Sequence, residues 1–258
     1  MPRFAANLSF MFQEWRFLER FDAAADAGFE AVEYLFPYDS APDAIAARLA
    51  ANGLTQALFN LPAGDFAAGA RGLAALPERF EELVAGLGQA LAYAKATGAK
   101  RLHMMAGLAE PQDPAAMAAY RRSLAFTAEA LAKAGIDLLL EPINRRDMPG
   151  YFLHDYGLAL QLIDELRMPN VKLQFDIYHR QILHGDVTMA LRALLAQIGH
   201  VQIASVPSRH EPDAEELNAG FLFAELDRLG YQGFVGCEYF PRAGTVEGLG
   251  WFAPFRRR

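Results

Sequence analysis

Short apolar runs rich in leucine, valine and phenylalanine alternate along the chain with longer stretches in which alanine and leucine recur at helical spacing. The junction between the two is repeatedly a glycine, placed where a helix ends in a left-handed cap and a strand begins. The copies read Ala27-Gly28-Phe-Glu-Ala-Val-Glu33, Asn52-Gly53-Leu-Thr-Gln-Ala-Leu58, Thr97-Gly98-Ala-Lys-Arg-Leu-His103, Ala134-Gly135-Ile-Asp-Leu-Leu-Leu140 and Leu229-Gly230-Tyr-Gln-Gly-Phe-Val235. Further strands are predicted near Arg3 to Ser9, after Met168-Pro-Asn170 and around His200 to Ala204, which brings the count to eight. The pattern predicts helices at about 14–27, 42–52, 77–97, 114–134, 156–167, 186–198 and 217–229. Pro77 and Pro114 suit helix starts, as do the acidic residues that follow Pro77. Strands alternating with helices imply a parallel sheet, and eight such units imply an α/β fold closed into a (β/α)8 TIM barrel. The eighth unit departs from the pattern: after Glu238 the chain passes Pro241 and Gly244 to Gly248-Leu-Gly-Trp-Phe252, too short and glycine-rich for a long closing helix. That extension is expected to cover the barrel wall or to touch a neighbouring subunit in a homo-oligomer.

Composition agrees with one large unit. At 258 residues and 53% hydrophobic, with no linker or low-complexity segment, residues 1–258 read as a single barrel domain. A formal charge of −7 disfavours nucleic acid or an anionic bilayer as partner. The closing Arg256-Arg-Arg258 is the one basic run and reads as a solvated terminus. No apolar stretch approaches membrane-spanning length, and the start of the chain lacks the pattern of a secretory signal. The single cysteine, Cys237, excludes an internal disulfide framework and a Cys-rich zinc site, fits a reducing cytoplasm, and reads as a small buried strand residue.

Four oxygen-bearing residues carry the candidate chemistry. Glu141 follows Ile136-Asp-Leu-Leu-Leu140, Asp176 follows Val171-Lys-Leu-Gln-Phe175, Gln202 lies within His200-Val-Gln-Ile203, and Glu238 follows Phe234-Val-Gly-Cys237. They are spaced by 35 (141 to 176), 26 (176 to 202) and 36 (202 to 238) residues, each about one strand-plus-helix unit. In a parallel barrel all strands deliver their carboxyl ends to one face, so these groups can meet there. Taken singly, a strand-end acid is often a helix cap or an ion-pair partner, and Gln202 a satisfied core amide. Together, three carboxylates at one mouth repel each other unless a cation or protons compensate. An all-oxygen set suits Mg²⁺ or Mn²⁺ better than zinc. Such an ion favours a substrate with adjacent carbonyl and hydroxyl oxygens, and would stabilise the enediolate formed when the C–H between them is deprotonated. Two of the carboxylates would then remove and return the proton.

Leu140-Glu-Pro-Ile-Asn144, Arg146-Asp-Met-Pro-Gly150, Gln174-Phe-Asp-Ile-Tyr-His179, Gly199-His-Val-Gln-Ile203, Arg209-His-Glu-Pro212, Gly236-Cys-Glu-Tyr239 and Glu247-Gly-Leu-Gly-Trp-Phe252 together resemble the hydroxypyruvate isomerase family of the xylose-isomerase-like barrels. The likeness covers nearly the whole chain. It implies a metal held by Glu141, Asp176, Gln202 and Glu238, with Glu141 and Glu238 doubling as proton donor and acceptor. It also implies that His179 hydrogen-bonds a substrate oxygen, where a plain loop histidine is the alternative. Arg209, seven residues beyond Gln202, is a candidate for binding a substrate oxygen or carboxylate through its planar fork, against a solvated loop arginine. Asp147 is a candidate support at the substrate site. His103 ends its strand either facing the mouth or as a packed polar residue.

Ala204-Ser-Val-Pro-Ser208 departs from the Asp-Asn-Pro type of segment associated with hydroxypyruvate isomerases and resembles that of 2-oxo-tetronate isomerases. The expected reaction is aldose–ketose isomerisation of a short hydroxy-oxo acid, with hydroxypyruvate and a 2-oxo-tetronate as the leading substrates. Gln202 stands where ketose 3-epimerases of the superfamily place a histidine, which weighs against that alternative. A non-catalytic sugar-acid-binding barrel is the other. No P-loop, Gly-x-Gly-x-x-Gly, Gly-x-Ser-x-Gly or His-Glu-x-x-His motif is present.

Overall fold

A computed structural model describes residues 1–256, so the last two arginines of the basic terminal run lie outside the described residues. Eight parallel strands close into a barrel, each paired with the next in sequence and the eighth with the first. They are β1 (Arg3–Asn7), β2 (Ala31–Tyr34), β3 (Thr55–Asn60), β4 (Arg101–His103), β5 (Asp137–Leu140), β6 (Val171–Asp176), β7 (Ile198–Ile203) and β8 (Phe234–Cys237). Around them run α1 (Arg20–Asp26), α2 (Pro42–Asn52), α3 (Phe80–Thr97), α4 (Pro114–Lys133), α5 (Tyr156–Leu166), α6 (Ile177–Leu183), α7 (Val187–Leu194) and α8 (Ala219–Arg228). None of the described helices is long and apolar enough to cross a membrane.

Local chemistry sets the boundaries. Pro42 and Pro114 occupy the first turns of α2 and α4, where a missing N–H costs nothing. Asp113, Asp155 and Asn218 cap α4, α5 and α8 by accepting from backbone amides. Gly53 and Gly98 end α2 and α3 at φ of 61° and 73°, a conformation that costs other residues a clash with Cβ. The predicted helix 14–27 begins late, as a 3-10 turn at Phe17–Glu19 followed by α1, because the Glu14 carboxylate turns away to accept from the Thr245 backbone and hydroxyl. The predicted 77–97 helix likewise opens as a 3-10 turn over Pro77–Arg79 before α3. Helix α6 is additional to the sequence prediction, since seven residues are too few to declare a helical period.

After β8 the chain replaces a closing helix with 3-10 turns over Leu249–Phe255. Phe252 stacks on Phe29 at 4.3 Å and Trp251 meets Phe4 edge-on at 5.2 Å, so this segment packs against the outside of the barrel beside β1 and β2.

Strand side chains alternate between the barrel interior and the surrounding helices. At one level inside, Ala5, Ala31 and Ala57 cluster with Phe234. Two residues further along, the same parity presents Asn7 in β1, Glu33 in β2 and Gly236 in β8. It likewise runs from Gln174 to Asp176 in β6 and from His200 to Gln202 in β7. The interior therefore changes from apolar to polar toward the carboxyl ends of the strands, the face on which TIM barrels build their sites.

Candidate active site at the barrel mouth

All four quartet residues reach this mouth, and all four are buried. Asp176 has two tasks. Its Oδ1 accepts from the Tyr178 amide at 2.8 Å and so starts α6, whereas its Oδ2 is buried with no hydrogen-bond partner among the described residues. Glu141 Oε1 is unpartnered in the same way. His179, one turn into α6, points Nε2 at both, 3.6 Å from Asp176 Oδ2 and 3.9 Å from Glu141 Oε1. Ligand-capable atoms of Glu141, Asp176 and His179 lie within 4.8 Å of one another, a buried group that could hold a metal ion.

The tautomer of His179 follows from its neighbours. Asn144 Oδ1 accepts from the Asp147 amide at 2.9 Å, which turns Asn144 Nδ2 toward His179 Nδ1 at 2.7 Å. With a donor aimed at Nδ1, a neutral ring carries its proton on Nε2, facing the cavity. Burial, helped by Arg209, holds the His179 pKa well below the ordinary range, so the ring is neutral. His179 thus presents an N–H to the cavity in this arrangement.

Glu238 sits in a second knot of contacts. Its Oε2 accepts from Gln202 Nε2 at 2.5 Å and from Asn7 Nδ2 at 3.1 Å, and its Oε1 from Arg209 Nη2 at 2.5 Å. Gln202 therefore directs its nitrogen toward Glu238, while its oxygen accepts from Gln174 Nε2 at 2.7 Å. Rotating the Gln202 amide to offer its oxygen to an ion would require Gln174 to turn as well. Gln174 Oε1 is itself buried and without a hydrogen-bond partner among the described residues.

Arg209 links the two halves. Beyond its contact with Glu238 it lies 3.9 Å from Asp176 Oδ2 and 3.3 Å from Asp147 Oδ2, and its guanidinium lies about 5 Å from the Tyr178 and Phe10 rings. Its backbone is left-handed, φ 57°, which is costly for a side chain of this size and is held by hydrogen bonds to Ser205 and Phe240. Asp147 also accepts from the Tyr178 hydroxyl at 3.1 Å, so it braces Arg209 from outside.

Crowding shifts the acids upward. Burial, then Glu238 and Asp176, lift Glu141 well above the ordinary carboxyl range. Burial lifts Asp176 to about 6 and Glu238 to about 8, in both cases against the pull of Arg209. His103, at the end of β4, faces Glu141 Oε2 at 3.6 Å and is pushed down to about 3 by burial. Cys237 is buried and its thiol pKa raised by that burial, as suits a packed strand residue.

Reasoning from the sequence missed the layer beneath. Glu33, fully buried, accepts from Asn7 Nδ2 at 3.0 Å and from Gln202 Nε2 at 2.8 Å, and its Oε2 lies 2.6 Å from His200 Nε2. A Cβ on Gly236 would collide with both Glu33 carboxylate oxygens, so β8 leaves room for that side chain by having none of its own. The signal was available, because Glu33 is another strand-end acid in the repeating unit.

Glu141, Glu238, His179, Arg209 and Asp147 all line one cavity of about 200 Å³, walled on its apolar side by residues such as Phe66 and Phe240. Residues 21–255 match the family described as xylose isomerase-like TIM barrel. The chain is 55% identical to the 2-oxo-tetronate isomerase of Cupriavidus necator over all of both chains. It is 43% identical to the hydroxypyruvate isomerase of Escherichia coli, covering 99% of this chain and 100% of that one. A crystal structure from Brucella melitensis, described as an AP endonuclease of family 2, superposes with a TM-score of 0.97 at 50% identity over the full length of both chains. The chain belongs to the xylose isomerase-like TIM barrel family and, like its hydroxypyruvate and 2-oxo-tetronate isomerase relatives, is an enzyme of the isomerase class.

Proposed function

We propose that the enzyme interconverts a short 2-oxo acid bearing a neighbouring hydroxyl with its isomer, hydroxypyruvate and a 2-oxo-tetronate being the candidate substrates, by proton transfer through an enediolate. The observation that carries this reading is the pair Glu141 and Glu238, both buried, both lining one cavity and both with raised carboxyl pKa values. A carboxylate displaced toward neutral pH is matched to taking a proton from carbon and returning it. The relatives' names point to the same chemistry.

The donor set fits a hard divalent cation, Mg²⁺ or Mn²⁺. Two buried carboxylate oxygens, Glu141 Oε1 and Asp176 Oδ2, have no hydrogen-bond partner among the described residues, Gln202 is the register partner of Asp176 on the neighbouring strand, and Glu238 accepts from Gln202. Glu141, Asp176, Glu238 and the Gln202 oxygen after amide rotation would hold the ion, which when bound would polarise the substrate's carbonyl and hydroxyl oxygens. The remaining work falls to the chain. His179 donates its Nε2–H to a substrate oxygen. Arg209, braced by Asp147, holds the acid's carboxylate through its planar fork. Phe10, Phe66 and Phe240 at the cavity wall limit water. A net charge of −7 and this small apolar-walled cavity favour a small acid over the polyanion suggested by the Brucella protein's description.

Turnover of hydroxypyruvate or a 2-oxo-tetronate in D₂O tests the reading. Solvent deuterium in the product is expected. Complete retention of the substrate hydrogen would point to a hydride shift and remove the carboxylates from that role.

A further inference from the structure

The cavity has two chemically different sides. Arg209 and Glu238, from the β7–β8 arc, make one. Across the closed barrel, the ends of β3 and β4 bring Asn60 and His103 to the other as register partners on neighbouring strands. Both line the cavity and both are almost wholly buried, 3% and 2% exposed. His103 turns Nδ1 toward Glu141 Oε2 at 3.6 Å, which leaves Nε2 buried without a hydrogen-bond partner among the described residues. Asn60 hydrogen-bonds through its backbone, to Leu35 and the Tyr38 hydroxyl, and its side-chain amide has no partner among the described residues. A buried ring nitrogen left open in a wall otherwise made of Leu35, Phe66 and Met105 is a costly arrangement unless something fills it, and the Asn60 amide lies beside it on the neighbouring strand.

We propose that Asn60 and His103 form a specificity subsite for a hydroxyl at the end of the substrate remote from its carboxylate, so that the enzyme selects a four-carbon 2-oxo-3,4-dihydroxy acid over hydroxypyruvate. The proposal rests on the reaction assigned above, which turns the reacting carbons toward Glu141 and Glu238 and the carboxylate toward Arg209. The two candidate substrates differ by one hydroxyl-bearing carbon, and the position this adds falls on the Asn60–His103 side. A hydroxyl both donates and accepts. An amide offers both complements and a ring nitrogen one of them, whereas a second carboxylate would find no guanidinium or ammonium there.

The test compares the 2-oxo-3,4-dihydroxybutanoate with its 4-deoxy analogue, 2-oxo-3-hydroxybutanoate, in wild type, Asn60→Leu and His103→Phe, substitutions that keep the branched or ring shape of the side chain while removing the polar group. Wild type is expected to prefer the 4-hydroxy acid by at least ~10²-fold in kcat/KM, since a site built to bond a hydroxyl rejects the analogue lacking it. Each substitution is expected to shrink that ratio at least ~10-fold. Parallel losses on both acids, with the ratio kept, would overturn the subsite. A second readout does not need turnover: with Mg²⁺ present, calorimetric titration with erythronate and with 2,3-dihydroxybutanoate should show tighter binding of erythronate to wild type. Equal affinities there would overturn the subsite even if neither variant folds. Absence of turnover on both acids and on hydroxypyruvate, with the erythronate preference intact, would instead sink the reaction and leave the subsite standing.

Discussion

The Arg209 guanidinium donates to Glu238 Oε1 at 2.5 Å, so a residue proposed to hold substrate is already in contact with a residue proposed to move its proton. Among the described residues lining the cavity Arg209 is the only arginine or lysine, and it faces Glu238, Asp176 and Asp147 together. Replacing it removes a charged hydrogen bond worth about 1.5–3 kcal/mol. Arg209→Ala is therefore expected to lower kcat/KM by about 10–150-fold, chiefly through KM, and Arg209→Lys to recover part of it. A fall confined to kcat would show that Arg209 acts on the chemical step and not on capture.

Glu238→Gln keeps an oxygen at the mouth but cannot take a proton. Steady-state kinetics should show kcat reduced at least ~10²-fold, the usual scale for a general base, while metal analysis still finds bound cation. Near-normal turnover would leave Glu141 to act alone or through water.

Removal of divalent cation should make stability depend on pH with an unusual sign. Asp176 is raised to about 6 and Glu238 to about 8, so between about pH 5 and 8 the folded, cation-free protein binds protons that the unfolded chain has released. Their stabilisation is present at the acid end and is lost as pH rises through the folded values. In chelator, Tm is expected to fall from pH 7 to pH 8, above the range in which the neutral, buried His103 and His179 contribute with the opposite sign. Mg²⁺ or Mn²⁺ at about 100 times its Kd at pH 8 should add about 2.7 kcal/mol there, or about 5–10 °C, and the same concentration should add less at lower pH, where more protons must be displaced. A Tm that rises across this window in chelator would contradict the compensation described here.

Glu33 touches none of the open cavity, yet it accepts from Asn7 and Gln202, two donors that also reach Glu238. Asn7 and Gln202 both donate to Oε1, so Glu33→Gln can keep an oxygen for them only by setting its N–H₂ against His200 Nε2 in place of Oε2. The expected cost is about 1–3 kcal/mol for groups left unpaired, read as a Tm lower by about 2–12 °C, together with reduced cation affinity by calorimetry. Unchanged cation affinity in a folded variant would separate Glu33 from the site above it.

The barrel and the quartet were legible because both follow from period and spacing. A glycine-ended helix followed by an apolar strand declares a unit, and an acid at the strand's last residue or one step past it declares its end, as at Asp176, Glu141 and Glu238. What Gln202 does was not legible, because an amide carries a donor and an acceptor on one stem and only Gln174, Glu33 and Glu238 together decide which end faces which. Nor was the bracing of Arg209 by Asp147, residues 62 apart in sequence that meet only across loops at the mouth. Helix α6 escaped because seven residues declare no helical period, and the Asp176 carboxylate that starts it holds both its cap and its open oxygen.

Gly236 gives the site an unusual vulnerability. The methyl group that alanine would add there falls on the Glu33 carboxylate, on a strand more than two hundred residues earlier in the chain. The two positions therefore behave as a single lock and bolt: a side chain at position 236 displaces the Glu33 carboxylate, and with it the acceptor that Asn7 and Gln202 share beneath Glu238. The polar layer beneath the mouth thus depends on a space no larger than one carbon atom.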